Sequence, residues 1–292
     1  MRILITGANG MLGSSLCWLY QEKHEVYALH RDKKCFTTCT IDHSLDLRDF
    51  PQIQTLFNQI KPDLLIHCAG LTSVDGCEQE PALAYEANVK VCENIAFACS
   101  KKIKLVYIST DQVYGKAEDH SESNEILQPL NQYGKTKLQG EQIVQEVCND
   151  YLILRTNIFW WNAKPGRVSS AEWIYHSLKN KDEITLFSDY TFSPISTVCL
   201  GNIIIQLVEG NFSGIINVGS SMPCSKYEFG LQLAEEFCLE TSCIRNGLMS
   251  NHSFPALRSN KLDLDVSKLI EMGITPPNLR DSMKKFVEYY KE

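Results

Sequence analysis

The segment RILITGANGMLGSSL, residues 2–16, decides the fold. A short, largely apolar strand pattern opens it, and three glycines follow where a helical pattern begins. Glycine here permits a tight turn, lets the backbone approach a pyrophosphate and lets the helix pack on the strand, while the helix N-terminus favours an anion. The segment predicts a dinucleotide-binding unit, although a plain turn would also use glycines. The expected cofactor contacts are Gly7, Asn9, Gly10, Met11, Leu12 and Gly13.

Strand-like and helix-like segments alternate through the first half of the chain. Short, near-continuous apolar strands are typical of a sheet that is buried on both faces. Strands are predicted at Arg2–Thr6, Glu25–Leu29, Asp63–Cys68, Lys104–Ser109 and Tyr151–Arg155, and helices at Met11–Gln21, Pro81–Ser100 and Tyr133–Val147. The pattern predicts an α/β fold, a Rossmann-type doubly wound parallel sheet with helices on both faces.

The alternation loosens after about Arg155. A strand is predicted at Gly214–Val218 and a helix at Lys226–Phe237. We expect residues 1–156 to form an NAD(P)-binding Rossmann domain, with a later return of about 198–220. Residues 157–197 and 221–292 are expected to form a smaller, interleaved C-terminal lobe that binds the substrate.

Composition and charge argue against several classes of protein. The 292 residues are 44% hydrophobic and 22% charged, as in an ordinary globular protein. The net charge of −7 disfavours nucleic acid as a partner. The 12 cysteines show no C-x-x-C pair, so no metal site is expected. With no long apolar run and no signal segment, we expect a cytoplasmic protein without membrane attachment.

The end of the second predicted strand indicates which dinucleotide is bound. An acidic residue there would hold the ribose 2′-hydroxyl, but this strand ends in His30-Arg31. A guanidinium can form paired hydrogen bonds to a 2′-phosphate, so Arg31 favours NADP(H). NAD(H) is the alternative, because Asp32 is adjacent and Arg31 could be a solvated loop charge. Asp46 is expected either to accept from the adenine amine or to cap the next helix. His30 and Leu47 are expected to contact the cofactor.

Tyr133 and Lys137 carry the predicted chemistry. They are four residues apart at the start of a helical segment, so both side chains lie on one face. A neighbouring ammonium lowers the pKa of a phenol toward the working range of an acid or base. Thr110 follows the strand Lys104–Ser109, at the sheet edge where ligands bind, and can donate to a substrate carbonyl or to Tyr133. The alternatives are an ordinary helical Tyr/Lys pair and a hydroxyl that caps a turn.

Five stretches together resemble a known family. They are GANGMLG (7–13), CAGLTSVDGCE (68–78), STDQVYG (109–115), YGKTK (133–137) and RTNIFWW (155–161). The chain is similar to the extended short-chain dehydrogenases, and most of all to the dTDP-4-dehydrorhamnose reductase family, over nearly its whole length. The resemblance implies an NADP(H)-dependent oxidoreductase that reduces the C4 ketone of a nucleotide-linked 4-keto-6-deoxy sugar.

The resemblance also implies roles for individual residues. Tyr133 would donate the proton, Lys137 would lower the tyrosine pKa and hold the nicotinamide ribose, and Thr110 would orient the carbonyl. Cys68, Ala69 and Gly70 would line the cofactor. The expected substrate-binding residues are Thr72, Val74, Asp75, Thr110, Asp111, Gln112, Asn157, Trp160 and Arg258.

Two of these residues are expected at the substrate diphosphate. Asn157 follows the predicted strand Tyr151–Arg155 and could donate to the diphosphate, and Arg258 matches an arginine that meets a diphosphate in related enzymes. Asp75 would equally suit a turn and Arg258 a solvated loop. Where several bacterial reductases have R-T-S-W, this chain has Arg155-Thr156-Asn157-Ile158, so the sugar stereochemistry stays open. Related proteins are often dimers, which makes a homodimer compatible with the sequence.

Two rival functions share these motifs. A nucleotide-sugar epimerase uses the same Tyr and Lys with NAD, and Arg31 disfavours it. A non-catalytic regulatory subunit, like that of methionine adenosyltransferase, would bind the dinucleotide without turnover. The complete set of Thr110, Tyr133 and Lys137 favours the reductase.

Overall fold

The computed structural model describes residues 1–37, 41–99, 103–124 and 126–291. The strands are β1 (Arg2–Thr6), β2 (Glu25–His30), β3 (Ile41–Ser44), β4 (Leu64–His67), β5 (Lys104–Ile108), β6 (Tyr151–Phe159), β7 (Ile184–Phe187), β8 (Thr191–Phe192), β9 (Pro194–Ser196), β10 (Gly214–Val218), β11 (Cys224–Ser225), β12 (Ile244–Gly247) and β13 (Lys261–Leu262).

The helices alternate with the strands through most of the chain. They are α1 (Met11–Tyr20), α2 (Phe50–Ile60), α3 (Val74–Gln79), α4 (Pro81–Tyr85), α5 (Val91–Cys99), α6 (Gln132–Val147), α7 (Ser170–Asn180), α8 (Thr197–Glu209), α9 (Lys226–Glu236), α10 (Ser267–Glu271) and α11 (Leu279–Lys291). A π-helical turn, Glu86–Lys90, joins α4 to α5, and short 3-10 turns lie at Asp111–Val113 and Met249–Asn251.

The main sheet is parallel and has the strand order β10-β6-β5-β4-β1-β2-β3. The short strand β9 pairs with the end of β6. The chain reverses direction across the sheet between β1 and β4, and this switch point opens a crevice at the C-terminal ends of the strands. The predicted Rossmann-type sheet is confirmed, including the late strand Gly214–Val218.

Both faces of this sheet are buried under helices. On one face Ile3 of β1 shares an apolar cluster with Leu16 of α1 and Ile204 of α8. On the other face Leu4 shares a cluster with Ile95 of α5. Alternate side chains of a strand point to opposite faces, which explains why the apolar run Arg2–Thr6 is nearly continuous.

A second core, rich in aromatic residues, lies in the C-terminal part of the chain. It contains Leu186 of β7, Phe192 of β8, Phe229 of α9 and Phe286 of α11. Between the segments of this core the chain returns to the main sheet, where α8 packs on α1: the Tyr20 hydroxyl donates to the Gly201 carbonyl at 2.6 Å. The division into two interleaved domains remains our prediction.

Two predicted elements differ substantially from the structure. The helix predicted at Pro81–Ser100 is broken into α4, the π-helical turn and α5, and Ser100 lies outside the described residues. β6 continues to Phe159, so that Asn157 lies within the strand and not after it. Within the part of the chain that the structure describes, no helix combines the length and apolar character that a membrane crossing requires.

Candidate active site

The glycine turn after β1 forms a cradle that no larger residue could occupy. Gly7 has a φ of +67°, and a Cβ there would lie 2.7 Å from the Ala69 backbone nitrogen. A Cβ on Gly13 would lie 2.3 Å from the Gly7 carbonyl oxygen. α1 begins after Gly10 with no side-chain cap and no acidic residue in its first turn. Its free N–H groups therefore face the crevice as an anion site.

The loop after β2 leaves a cation exposed beside this cradle. Arg31 is exposed, whereas Asp32 accepts from Lys164 at 2.6 Å and from Asn9 at 3.1 Å. Lys164 first and Asn9 second lower the pKa of Asp32 by these hydrogen bonds. Asn9 also accepts from the Phe36 backbone N–H. The acidic neighbour is thus compensated within the protein, and Arg31 remains available to a phosphate.

Three residues assigned to the cofactor have their side chains engaged elsewhere. His30 is buried, with Nδ1 on the Asp32 carbonyl and Nε2 2.9 Å from the Asp42 carboxylate. Asp46 binds the Arg48 side chain, whose hydrogen bonds lower its pKa to about 2, and Asp49 is the actual cap of α2. Leu47 belongs to the apolar core.

One cluster of side chains bears on the prediction that the protein has no metal site. Ligand atoms of His30, Cys35 and Asp42 all lie within 4.8 Å of one another, close enough to share a metal ion. His30 and Asp42 already pair with each other, so the geometry is accounted for without an ion.

Thr110, Tyr133 and Lys137 meet at the C-terminal end of β5. Asn131 caps α6 by accepting from the Gly134 backbone N–H, which fixes the first turn that carries Tyr133. The Tyr133 hydroxyl lies within hydrogen-bonding reach of Thr110. Lys137 is buried and its Nζ lies 3.9 Å from the centroid of the Tyr107 ring. The structure therefore brings the three predicted residues together.

The pKa of Tyr133 is raised, whereas the sequence analysis expected Lys137 to lower it. Burial raises the pKa of Tyr133, opposed by the hydrogen bond with Thr110, so the phenol is protonated at neutral pH. Burial lowers the pKa of Lys137 to about 8. The groups that act on the Tyr133 pKa besides burial are Thr110, Asp111 and Cys77, and the lowering by Lys137 that the sequence suggested is not among these effects.

A buried hydrogen-bond network, which the sequence analysis did not predict, packs behind Thr110 and α6. Arg155 of β6 forms an ion pair with Glu141 of α6 at 2.7 Å and donates to the Tyr114 hydroxyl at 3.0 Å. Ser109, next to Thr110, donates to Glu141. Tyr114 in turn donates to Asn217 of β10. The network joins the end of β5, α6, β6 and β10 around Thr110 and the start of α6.

The loop after β4 is fixed by Asn88, in the π-helical turn. Asn88 accepts from the Leu71 backbone N–H at 2.7 Å and donates to the Leu71 carbonyl and to Thr136 of α6. Its Oδ1 would lie 2.9 Å from a Cβ on Gly70. This explains why glycine follows β4 and how the loop with Ala69 and Gly70 is held at the crevice.

Asp75 and Arg258 lie together, but as partners of each other. The guanidinium donates to the Asp75 carboxylate at 2.8 Å and to the Ala256 carbonyl at 3.2 Å. The Ala256 backbone N–H also donates to Asp75. Thr72 and Val74 lie on the same loop and helix start, at the lip of the crevice. Arg258 is therefore not a solvated loop charge. Its guanidinium already has a counter-charge in Asp75.

Asp111 is fully buried at the centre of the predicted substrate residues. Its carboxylate accepts from Thr110 at 3.1 Å, from Gln112 at 3.3 Å and from Asn157 at 2.5 Å. Burial raises the pKa of Asp111, and these three hydrogen bonds oppose the rise. The Asn157 amide thus donates to a carboxylate, where the sequence analysis expected it to donate to a substrate diphosphate.

Trp160 is wrongly assigned to the substrate. It is 2% exposed and packs against Phe286 and Tyr289, with ring centroids 5.7 and 5.3 Å away. Because β6 extends to Phe159, the tryptophan that follows enters the aromatic core of the C-terminal part and not the crevice.

Three residues near Asp111 escaped the sequence analysis: Tyr190, Phe192 and Lys226. The Lys226 Nζ lies 3.6 Å from the centroid of the Phe192 ring, and Asp111 acts electrostatically on both Tyr190 and Lys226. Tyr190 precedes β8, Phe192 ends β8 and Lys226 begins α9, and no local motif marks them. Only the folded arrangement places them at the crevice.

The comparisons with known proteins extend over the whole chain. Residues 1–292 match the family model described as RmlD substrate binding domain. The chain is 30% identical over 290 residues to the probable low-salt glycan biosynthesis reductase Agl14 of Haloferax volcanii, covering 97% of this chain and 96% of that protein. It is 28% identical to methionine adenosyltransferase 2 subunit beta of Xenopus laevis, covering 94% of this chain and 83% of that protein. Among solved structures, dTDP-4-dehydrorhamnose reductase of Bacillus anthracis in complex with NADP has a TM-score of 0.87 and 28% identity, covering 99% of both chains.

Proposed function

Because this chain belongs to the RmlD substrate binding domain family, we propose that it is an NADP(H)-dependent reductase of a nucleotide-linked 4-keto-6-deoxy sugar. The observation that carries the proposal is the group of Thr110, Tyr133 and Lys137 in the crevice. The phenol of Tyr133 is protonated, because burial raises its pKa. A protonated phenol can give a proton to a developing alkoxide, which is what reduction of a ketone requires.

The residues at the switch point fit a phosphorylated dinucleotide. The cradle at Gly7 and Gly13 and the uncapped start of α1 would hold the pyrophosphate, and exposed Arg31 would hold a 2′-phosphate. Lys137, whose Nζ has no hydrogen-bond acceptor among the described residues, would donate to ribose hydroxyls. When bound, the dihydronicotinamide supplies a hydride.

The chain's own residues would then handle the carbonyl oxygen. The Thr110 hydroxyl can turn from Asp111 to donate to the ketone, and the Tyr133 hydroxyl beside it can transfer its proton to that oxygen. The network of Glu141 and Arg155 holds β5 and α6 in register, so the two hydroxyls stay together. Orientation of this kind contributes to the rate because it avoids the entropy cost of assembling the groups.

The direct test is consumption of NADPH and of NADH with a panel of nucleotide-linked 4-keto-6-deoxy sugars, beginning with dTDP-4-dehydrorhamnose. We expect oxidation of NADPH with at least one sugar and a lower rate with NADH. Dinucleotide binding without turnover of any sugar would contradict the proposal.

A second candidate is a regulatory subunit that binds a dinucleotide without catalysis. The similarity to methionine adenosyltransferase 2 subunit beta of Xenopus laevis favours it. The same assay separates the two functions, because a regulatory subunit would bind NADPH and leave every sugar unreduced.

A further inference from the structure

Lys226, the first residue of α9, places a half-buried ammonium beside the crevice. Its Nζ lies 3.6 Å from the centroid of the Phe192 ring and 5.6 Å from that of the Tyr190 ring. The ring faces attract the cation but do not replace a conventional acceptor. Within the described ranges, no hydrogen-bond acceptor reaches Nζ. A cation withdrawn from water without an acceptor costs free energy, so a bound ligand is the natural source of one.

The position of Lys226 is well defined. Ser225 caps α9, and Glu228 completes a capping box by accepting from the Ser225 backbone N–H. The helix therefore begins at Lys226 and not a residue earlier or later. The cap fixes the backbone of Lys226, and the contact of its Nζ with the Phe192 ring restricts the side chain. Such a side chain loses less entropy when it binds a ligand than a lysine on a free loop.

Asp111 connects Lys226 to the catalytic hydroxyls without neutralising it by contact. The Asp111 carboxylate and the Lys226 ammonium act electrostatically on each other. The carboxylate oxygens, however, accept from Thr110, Gln112 and Asn157. Asp111 thus lies between Thr110 and Lys226 in this chain of interactions, and Lys226 belongs to the C-terminal part of the chain.

The other cations of the crevice are committed or lie at its opposite end. Arg258 already donates to Asp75 and to the Ala256 carbonyl. Lys137 lies over Tyr107, at the end proposed for the nicotinamide ribose. Among these three cations of the described crevice, Lys226 is therefore the one whose ammonium has no hydrogen-bonded anion on the side where the sugar nucleotide would bind.

We propose that Lys226 binds a phosphate oxygen of the substrate diphosphate, with the Tyr190 hydroxyl as a neighbouring donor. The inference rests on the proposed function, since the diphosphate is the anionic group of a nucleotide-linked sugar. Tyr190 lies near both Asp111 and Arg258, because both charges act on its phenol. An ammonium and a phosphate form a charge-assisted hydrogen bond, and the aromatic wall strengthens it by excluding water.

Binding of nucleoside diphosphates, measured by calorimetry without turnover, tests the inference. The probes are dTDP, UDP and GDP, each compared with its nucleoside. For the diphosphate that binds wild type most tightly, Lys226→Met should weaken binding at least tenfold and leave the nucleoside and NADPH within twofold. Lys261→Met, at an exposed lysine of β13, is the matched control and should change none of them.

A charge-preserving variant distinguishes a phosphate contact from a packing role. Burial lowers the pKa of Lys226 to about 8, and the titratable groups near it are Cys224, Asp111 and the Tyr190 phenol, whose own pKa is raised by burial. Lys137 also has a pKa of about 8, so loss of wild-type binding at pH 9.5 would not identify Lys226. Lys226→Arg does not titrate in this range, and it should retain more of its pH 7 affinity at pH 9.5 than wild type does.

The outcomes separate this inference from the proposed function. Unchanged diphosphate affinity in Lys226→Met, or no binding of any nucleoside diphosphate to wild type, overturns it even if a sugar is reduced. Equal losses for diphosphate and nucleoside would mean that Lys226 only shapes the pocket. A tenfold diphosphate-specific loss supports the subsite even if the sugar panel shows no turnover. If Lys226→Met fails to fold, the Lys226→Arg pH comparison decides alone.

Discussion

Replacing Tyr133 with Phe removes one hydroxyl and leaves the ring in place. Because that hydroxyl is the proposed proton donor, we expect kcat to fall by about a hundredfold or more, while NADPH affinity stays within about twofold of wild type. Stopped-flow kinetics and fluorescence titration measure the two quantities. Full activity in Tyr133→Phe would remove Tyr133 from the proposed mechanism, and Tyr27→Phe, in the strand β2 next to the edge strand β3, is the control.

Arg31→Ala tests the choice between the two dinucleotides. The exposed guanidinium has a compensated acidic neighbour in Asp32, so it should interact with the 2′-phosphate of NADPH. A charge-assisted hydrogen bond contributes about 1.5–3 kcal/mol, and we expect NADPH to bind at least about tenfold more weakly while NADH is unaffected. Equal effects on the binding of NADPH and NADH would mean that another residue binds the 2′-phosphate. Lys33→Ala, two residues away, is the comparison.

His67 gives a pH-dependent prediction for stability. Its ring is buried at the end of β4, 2.7 Å from the Thr6 hydroxyl, and burial lowers its pKa to about 3. In the unfolded chain a histidine has a pKa of about 6.5. The unfolded state therefore takes up a proton that the folded state refuses, and stability is lost as pH falls from about 6.5 toward 3.

Urea unfolding at pH 7, 6 and 5 measures this effect. One proton corresponds to a slope of about 1.4 kcal/mol per pH unit, and His67→Gln should flatten the wild-type dependence by up to this amount. His176→Gln, at an exposed histidine of α7, should keep the wild-type slope. If both variants behave alike, acid sensitivity arises elsewhere in the protein.

Among the elements, α6 and β6 depend on the buried pair of Glu141 and Arg155. Removing one partner of a buried ion pair typically costs about 3–5 kcal/mol, because the other charge is left without a partner. Glu141→Leu should therefore lower the free energy of unfolding by that amount. Glu141→Leu combined with Arg155→Met should lose less than the sum of the single changes in urea unfolding. Additive losses would show that the two side chains stabilise the protein independently.

The π-helical turn shows what periodicity cannot reveal about an element. The apolar positions from Pro81 onward predict one continuous helix, and only the break at Glu86–Lys90 brings Asn88 to Leu71 and Thr136. The side-chain amide of an asparagine within a helical pattern is ordinarily predicted to face solvent. The role of Asn88 depends on contacts with a loop and a helix that are distant in sequence, and a local pattern does not reveal such contacts.

At the scale of the molecule, the fold was predictable, and the proposed catalytic group could be named, because their signals are local. The glycines at positions 7, 10 and 13 are close in sequence, as are Tyr133 and Lys137. Trp160 was misassigned because the end of β6 was placed four residues early, at Arg155 instead of Phe159. The partnership of Asp75 with Arg258 joins residues 183 positions apart. A single sequence holds no signal for such a pairing.

The position of β10 beside β6 has a consequence for the synthesis of the chain. β6 ends at Phe159, and its neighbour is not complete until Val218. While the intervening residues are being made, the apolar strand β6 has a free edge, and such edges template aggregation. A fragment that stops at residue 156 should accordingly accumulate in the insoluble fraction of an expression host, whereas a fragment that includes β10 should be more soluble. Because β10 follows β6 late in the chain, we expect the nascent protein to be most prone to aggregation between the synthesis of these two strands.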